Sequence, residues 1–239
     1  MKYISVVIPA YNEENRISKT LYGIHDYLKT KDYDYEVIVV DDGSLDGTVL
    51  KAQESSLFKA GKLKIIKNGV NAGKGRAVKN GILNSSGELV LFSDADLSTP
   101  IREVDKFIEY INSGSDMVIG SRSVLNSSVI VHQPWYRELM GKTFNLFVKL
   151  FVMWGFNDTQ CGFKLFRGDL AREIARHMRI DGFAFDVEML YIAKAKKYNV
   201  KECGVTWENS PESKVKLFHG PVSMFFDLFK IKIIHASLK

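Results

Sequence analysis

The alternation of short apolar segments with helical segments over the first half of the chain is the feature that most constrains the fold. Apolar segments occupy residues 3–8, 36–40, 63–66, 89–92 and 117–119. Segments with apolar residues at helical spacing lie between them, at 14–28, 46–58, 75–83 and 100–111. Continuous apolar strands that alternate with helices predict an α/β fold with a mostly parallel central sheet flanked by helices.

Polar clusters follow three of the predicted strands. Residues 9–13 follow the first strand, Asp41 and Asp42 end the second, and Asp94 and Asp96 end the fourth. Ligands of parallel sheets bind outside the carboxyl ends of the strands. The three clusters therefore predict a ligand site at one edge of the sheet.

The composition is that of a globular chain with a preference for anionic partners. Of the 239 residues, 46% are hydrophobic and 26% are charged, and the net charge is +5. These values exclude a disordered or fibrous chain, and Cys161 and Cys203 alone cannot form a disulfide scaffold or a cysteine-rich zinc site. The mild positive charge favours phosphates or an anionic lipid surface and is too small to indicate nucleic acid.

Two amphipathic helices are predicted after the alternation ends, at about 136–153 and 221–239. Their apolar faces consist of Met140, Phe144, Phe147 and Phe151 in the first helix and of Val222, Phe225, Phe226, Phe229 and Ile233 in the second. Such faces either pack on a core or lie in a membrane interface. A weak strand is also predicted at 162–166, a helix at 186–198 and a strand at 200–207. No segment has the length of a spanning helix or the pattern of a signal peptide.

Asp94 and Asp96 carry the clearest chemical signal. Two carboxylates one residue apart at a strand-to-loop bend direct oxygens at one hard cation, and Mg²⁺ and Mn²⁺ share such ligands with substrate phosphates. The pair alone also fits a turn with solvated acids. Its position beside the other polar clusters favours the metal site.

The remaining polar residues each admit two interpretations. Asp42 either accepts hydrogen bonds from a nucleobase or ribose or stabilises a turn, and Tyr11 either covers a flat base or ends a strand. The glycine-rich turn at 69–76 either brings Lys74 to a donor phosphate or is a solvated loop. It is not a P-loop, because Gly75 stands where Ser or Thr follows the lysine. Scattered cations in the second half are either surface charges or anion ligands: Arg122, Arg137, Lys164 and Arg167.

Five motifs in order over residues 6–122 together resemble one family. They are VVIPAYNEE, VVDDGSLDGT, NAGKGRAVKNG, SDADLSTP and GSR. The resemblance is to the family 2 glycosyltransferases of the GT-A fold, in their polyprenyl-phosphate branch. The segments DTQCGFKLF at 158–166 and FAFDVEMLYIA at 183–193 are more similar to the dolichyl-phosphate glucosyltransferases than to the dolichol-phosphate mannose synthases.

The resemblance implies one GT-A domain over residues 1–239, with a nucleotide-sugar half at 1–122 and an acceptor half at 123–239. It implies inverting transfer of a hexose, glucose from UDP-glucose, to a polyprenyl phosphate, with Mg²⁺ or Mn²⁺ as the cofactor. The enzyme would lie peripherally on the cytoplasmic side of a membrane. The sequence leaves the oligomeric state and the lipid length open.

The resemblance also assigns roles to residues of the matching motifs. The residues that would contact the donor nucleotide are Pro9, Tyr11, Glu13 and Asp42. Asp94 and Asp96 would bind the metal. Arg122 and Arg137 would bind the acceptor phosphate. Ser98 stands where mannose synthases often have Gln, so metal binding from that position is not implied. The roles of Asp186 and Glu188 stay open.

Other functions fit parts of the pattern. Within the same class, a GDP-mannose-dependent polyprenyl-phosphate mannosyltransferase or another family 2 enzyme is the alternative. Nucleotidyl transfer to a sugar phosphate predicts a basic, glycine-rich loop directly after the first strand, where this chain has residues 9–13. A non-catalytic nucleotide-sugar-binding protein is the alternative from a different class.

Overall fold

The computed structural model describes residues 4–209 and 219–238. Its strands are β1 Ile4–Ala10, β2 Tyr35–Asp41, β3 Leu63–Lys67, β4 Leu89–Ser93, β5 Met117–Ser121, β6 Ser128–Val131, β7 Phe163–Arg167, β8 Val200–Gly204 and β9 Thr206–Glu208. Its helices are α1 Ile17–Leu28, α2 Thr48–Gln53, α3 Ser56–Lys59, α4 Lys74–Leu83, α5 Val104–Asn112, α6 Trp135–Phe151, α7 Gly168–His177, α8 Phe185–Ala195 and α9 His219–Ile234. Short 3-10 helices lie at Ile101–Glu103 and Ala236–Leu238.

The central sheet is built from the apolar segments that the sequence predicts. In the described part of the chain it contains seven strands in the order β3-β2-β1-β4-β7-β5-β8. The strand β7 runs antiparallel to both β4 and β5, and the other neighbouring strands are parallel. The predicted mostly parallel sheet flanked by helices is therefore confirmed.

Both faces of the sheet are covered, which explains the apolar runs in inner strands such as β1 and β4. Along β1, Val6 and Ile8 pack in the layer that contains α1 and α5, whereas Val7 packs in the layer that contains α4, α7 and α8. Successive side chains of a strand point to opposite faces. A strand that is buried on both faces therefore shows no polar alternation.

Two of the predicted elements are divided in the structure. The helix predicted at 46–58 consists of α2 and α3, because the Ser55 hydroxyl donates to the Ala52 carbonyl at 2.6 Å and accepts from the Phe58 amide at 3.2 Å. Ser55 thereby ends one helix and caps the next. The strand predicted at 200–207 consists of β8 in the central sheet and β9, which pairs with β6 in a separate two-stranded sheet.

The stripe of the last helix that packs on the core differs from the apolar face that the sequence predicts. The buried side chains of α9 are Met224, Leu228 and Ile231, and His235 follows them at the same spacing. Phe226, Phe229 and Ile233 are exposed instead. The helix is apolar on nearly all sides, so periodicity does not decide which stripe faces the core. The predictions that involve Tyr3, the side chain of Val222 and Lys239 fall outside the described part of the chain.

The face predicted for α6 is partly confirmed. Phe144 and Phe147 pack on the core beside the buried Val148, whereas Met140 and Phe151 are exposed. Within residues 4–209 and 219–238, no helix has both the length and the apolar composition needed to cross a membrane.

Candidate active site

The carboxyl ends of β1, β2 and β4 meet at one edge of the sheet, as the sequence predicts. Because β7 is antiparallel, its amino end also reaches this edge, and the Asp94 amide donates to the Gly162 carbonyl at 3.0 Å. A small polar opening forms there. It is lined by Ser93, Asp94, Asp96, Ser98, Gly162 and Trp207.

The Asp94–Asp96 segment forms a tight bend after β4. Leu97 has a positive φ of 49°, and the Ser98 amide donates to Asp96 Oδ1 at 2.9 Å. A Cβ atom at position 162 would lie 1.9 Å from Asp94 Oδ2, so only glycine leaves space for this carboxylate. The bend holds both carboxylates at the opening, which is the arrangement that a hard cation requires.

Lys74, at the first position of α4, reaches the same place. Its Nζ lies 2.7 Å from Asp94 Oδ1. Burial of the ammonium opposes its protonation, but the carboxylates of Asp94 and Asp186 outweigh this effect and raise the pKa of Lys74 above its usual value. The glycine-rich turn therefore delivers a fixed positive charge to the acidic bend.

The Asp42 carboxylate accepts hydrogen bonds from the glycine-rich turn and from Asn68, just before it. Its Oδ1 accepts from Asn68 Nδ2 at 2.8 Å and from the Ala72 amide at 3.1 Å, and its Oδ2 accepts from the Gly73 amide at 2.8 Å. Both carboxylate oxygens of Asp42 are thus engaged by this turn. The contact supports the turn-stabilising interpretation, and binding of the nucleotide by Asp42 stays a prediction.

The other side of the turn rests on the loop before α8. The Gly75 amide donates to the Asp181 carbonyl at 2.8 Å, and Arg76 forms an ion pair with the Asp181 carboxylate. Gly73 has a φ of 108°, and a Cβ atom there would lie 2.3 Å from the Asp181 carbonyl oxygen. The amides of Ala72, Gly73 and Gly75 therefore donate to groups of the protein, and the Lys74 side chain is the part of the turn that reaches the acidic bend.

The segment after β1 is tied to the segment after β2. Asn12 has a φ of 54°, and its amide donates to Ser44 Oγ at 2.9 Å. The buried Glu13 accepts two hydrogen bonds from Arg16, at 2.7 and 2.8 Å. Pro9 lies within β1, and Tyr11 is half-buried at the strand end. The structure brings these predicted donor-site residues to the correct edge, and their contacts with a nucleotide stay predictions.

Arg122 directly follows β5 and is held by Asp158. Arg122 Nε lies 2.7 Å from Asp158 Oδ2, and Arg122 Nη2 lies 2.9 Å from Asp158 Oδ1. Burial opposes ionisation of Asp158, but the guanidinium and its hydrogen bonds hold the pKa of this carboxyl below its usual value. The guanidinium carbon lies 5.5 Å from the Trp207 ring centroid, which places Arg122 beside the acidic opening.

Arg137 is in the first turn of α6 and is half-buried. Its neighbours Trp135 and Tyr136 are exposed, with 76% and 38% of their surface accessible. Arg137 therefore belongs to the exposed end of α6, whereas Arg122 belongs to the sheet edge.

The two acids at the start of α8 have different environments. The buried Asp186 pairs with Lys164, whose side chain is fully buried, and burial raises the pKa of Asp186 although Lys164 and Lys74 oppose the shift. Glu188 accepts from the amides of Arg179 at 2.8 Å and Ile180 at 2.9 Å. Glu188 Oε1 also lies 2.7 Å from His235 Nε2. Glu188 therefore fixes the loop on which the glycine-rich turn rests.

Sequence reasoning assigned no role to Asp158 or Asp181, and it treated Lys164 as a surface charge or an anion ligand, whereas the structure buries Lys164 against Asp186. Asp158 and Lys164 stand in a quoted motif, which was the available signal. No local sequence feature marks Asp181 as the partner of Arg76, which lies 105 positions earlier, because this contact depends on tertiary packing.

An acidic bend at the carboxyl edge of a mostly parallel sheet is the arrangement that the GT-A resemblance implies. Residues 5–175 match the family described as Glycosyl transferase family 2, and the chain belongs to this family. Relatives with assigned names align over most of the chain's length. The chain is 37% identical to the dolichyl-phosphate beta-glucosyltransferase of Drosophila melanogaster, over 95% of this chain and 74% of that protein. It is 36% identical to the human protein of the same name, over 99% of this chain and 76% of that protein.

Solved structures share the fold at low identity. Mannosyl-3-phosphoglycerate synthase from Rubrobacter xylanophilus has a TM-score of 0.70 and 18% identity, over 99% of this chain and 74% of that chain. Glucosyl-3-phosphoglycerate synthase from Mycobacterium tuberculosis, in complex with Mn²⁺, UDP-glucose and phosphoglyceric acid, has a TM-score of 0.65 and 19% identity, over 100% of this chain and 81% of that chain. The predicted GT-A fold and the predicted family are thus confirmed.

Proposed function

We propose that the protein transfers glucose from UDP-glucose to a dolichyl-type polyprenyl phosphate, with inversion at the anomeric carbon. The named relatives support this reaction through similarity over nearly the whole chain. The structural observation that carries it is the position of Arg122. Trp207 lines the opening around Asp94 and Asp96, and the Arg122 guanidinium lies over its ring. In this proposal Arg122 is the cation for the acceptor anion, and it lies beside the carboxylates that serve the donor.

Residues 1–122 form the donor half in this proposal. Pro9, Tyr11, Glu13 and Asp42 border the nucleotide, and Lys74 meets the diphosphate. The opening lies where the carboxyl ends of parallel strands meet, which is where ligands of such sheets bind. The Mycobacterium tuberculosis neighbour, whose structure contains UDP-glucose, supports a nucleotide sugar as the donor.

A divalent metal fits the acidic bend. Asp94 and Asp96 offer hard oxygen ligands, and Gly162 leaves space for the Asp94 carboxylate. In residues 4–209 and 219–238, no group of three or more His, Cys, Asp or Glu side chains is arranged to hold a metal. Two protein carboxylates are enough for Mg²⁺ or Mn²⁺, because these ions take their other ligands from phosphates and water. A bound metal neutralises charge on the diphosphate leaving group.

Residues 123–239, with Arg122 at their border, form the acceptor half. A lipid phosphate is an anionic nucleophile, so the site needs no strong general base. Its task is to hold two anionic substrates close together and in line. Arg122, oriented by Asp158, and Arg137 supply charge-assisted hydrogen bonds for the acceptor phosphate.

A transfer assay tests this function. Purified protein with Mn²⁺ is expected to release UDP from UDP-glucose only when a short polyprenyl phosphate is present, and to form a lipid-linked glucose. The free polyprenol is the matched acceptor control, and GDP-mannose is the donor control. Release of UDP that does not depend on the lipid phosphate, or transfer from GDP-mannose alone, would contradict the proposal.

The proposed enzyme lies peripherally on the cytoplasmic face of a membrane, docked through α6 and α9. Trp135, Leu139, Leu146 and Leu150 are exposed and fall on one face of α6 at helical spacing. Phe226, Phe229 and Ile233 do the same on α9. The two helices contact each other through Phe147 and Phe225, whose ring centroids lie 5.1 Å apart. Lysines near these faces are Lys142, Lys149, Lys230 and Lys232, which suits an anionic interface.

Removing exposed apolar side chains from α9 should weaken membrane binding. We expect the double variant Phe226→Ser/Ile233→Ser to bind anionic vesicles less tightly, because each side chain contributes about 1.5–3 kcal/mol when fully buried in lipid. Vesicle sedimentation measures this change, and UDP binding should persist. Leu50→Ser, at an exposed position on α2, is the matched control.

Phe225→Ser separates docking from folding, since Phe225 packs against α6. We expect this variant to lower the melting temperature. Unchanged vesicle binding by the folded Phe226→Ser/Ile233→Ser variant would show that α9 is not the docking surface.

A further inference from the structure

A second ion pair lies behind the pair of Lys74 and Asp94. The ammonium of Lys164 contacts Asp186 and donates to the Cys161 carbonyl at 2.7 Å. Replacement of a buried ion pair by apolar residues of similar volume is often neutral or stabilising. Stability alone therefore gives no reason for the Lys164–Asp186 pair, and its position suggests a functional reason.

The four charged side chains alternate in sign from the opening to the core. The exposed fractions of their side chains fall in the same order, from 31% for Asp94 and 26% for Lys74 to 6% for Asp186 and 0% for Lys164. Each inner charge is therefore less hydrated than the one before it. A charge with little hydration is weakly screened, so the Asp186 carboxylate acts on a nearby cation more strongly than an exposed carboxylate would.

The rings of Phe92 and Phe185 lie near the Lys164–Asp186 pair and near Lys74. The ammonium groups of Lys74 and Lys164 each lie 5.6 Å from the ring centroid of Phe92. Lys74 Nζ also lies 5.9 Å from the ring of Phe185, the residue before Asp186. The Phe92 and Phe185 rings pack edge to face, with their centroids 5.5 Å apart. The Lys74 ammonium thus lies between Asp94 and Phe185, the first residue of α8 and the neighbour of Asp186.

We propose that Asp186 is a positioning residue: anchored by Lys164, it holds the Lys74 ammonium at the acidic bend, where that ammonium meets the donor diphosphate. This inference rests on the proposed function. An ammonium fixed in advance costs no reorganisation when the diphosphate binds or leaves. Asp186 is not a general base in this proposal, because it lies buried against Lys164 and a phosphate acceptor carries its own negative charge.

The test replaces the inner pair as a unit. The double variant Lys164→Met/Asp186→Leu removes both charges and leaves neither one buried alone. We expect it to fold, with a melting temperature close to that of the parent. Its affinity for UDP in the presence of Mn²⁺ should fall by about tenfold or more, and the KM for UDP-glucose should rise by a similar factor. The KM for polyprenyl phosphate should change little.

The control variant is Glu103→Gln, which alters a buried carboxylate outside the site. It should leave UDP affinity unchanged. If the folded double variant binds UDP and Mn²⁺ as the parent does, the pair is structural and the inference fails. If donor affinity is kept but kcat falls at saturating substrates, Asp186 acts on the reacting groups and the inference also fails. If the parent itself does not bind UDP with Mn²⁺, the proposed function fails instead.

Discussion

Asp94→Asn and Asp96→Asn should each reduce glucosyl transfer on the order of 10²–10³-fold, since a metal contributes several kcal/mol of charge stabilisation in such reactions. Each substitution keeps the size of the side chain but removes a hard anionic ligand. Mn²⁺-dependent binding of UDP, measured by calorimetry, should weaken in parallel. The melting temperature should stay near that of the parent, because both residues lie in a surface bend.

Asp26→Asn is the matched control for these variants. Asp26 is also paired with a lysine, with Lys29 Nζ 2.6 Å from Asp26 Oδ1, but it lies on α1. It should leave transfer unchanged. Full activity of Asp94→Asn and Asp96→Asn in chelator-treated enzyme would rule out a metal site at this bend.

Loss of Arg122 should impair the use of the lipid phosphate and spare the donor. A hydrogen bond to a charged group contributes about 1.5–3 kcal/mol, which corresponds to roughly tenfold to hundredfold in acceptor KM or kcat/KM. Arg122→Ala alone would leave Asp158 buried without its partner. The double variant Arg122→Ala/Asp158→Ala avoids this, and Arg122→Lys keeps the charge but loses the two-point contact.

Arg137→Ala provides an independent measurement on the acceptor side. Arg137 is half-buried on α6, so this variant should fold normally and raise the acceptor KM. Initial rates at varied polyprenyl phosphate, together with calorimetry of UDP, separate the two substrates. If donor affinity falls while acceptor kinetics stay constant, the arginines contact the donor instead.

The strand pattern and the acidic bend could be predicted from the sequence because each depends on local residues. Continuous apolar runs such as 4–8 report burial on both faces of the sheet, and Asp94 and Asp96 follow such a run directly. The contacts made by the first turn of α8 could not be predicted from the sequence. Its acids Asp186 and Glu188 fit a helix start, but their partners Lys164 and His235 come from distant positions. Spacing along one element contains no information about such contacts.

The sequence also did not determine the direction of one strand or the buried face of one helix. A weak strand was predicted at 162–166 without a direction, and the structure has the antiparallel strand β7 at Phe163–Arg167. The face of α9 was assigned to phenylalanines, whereas Met224, Leu228 and Ile231 are buried. A helix that is apolar on most sides has several equivalent stripes, and only packing against its neighbours selects one.

The central position of β7 has a consequence for the order in which the chain acquires its structure. β4 pairs with β1 on one side and with β7 on the other, and residue 94 meets residue 162 only after the intervening chain has been synthesised. Closing a loop of this size before contacts form is entropically costly and slows folding. A nascent chain that has emerged only as far as residue 160 has β4 with an unpaired edge, a known risk for aggregation. The contact between Asp94 and Gly162 therefore forms only after residue 162 has emerged.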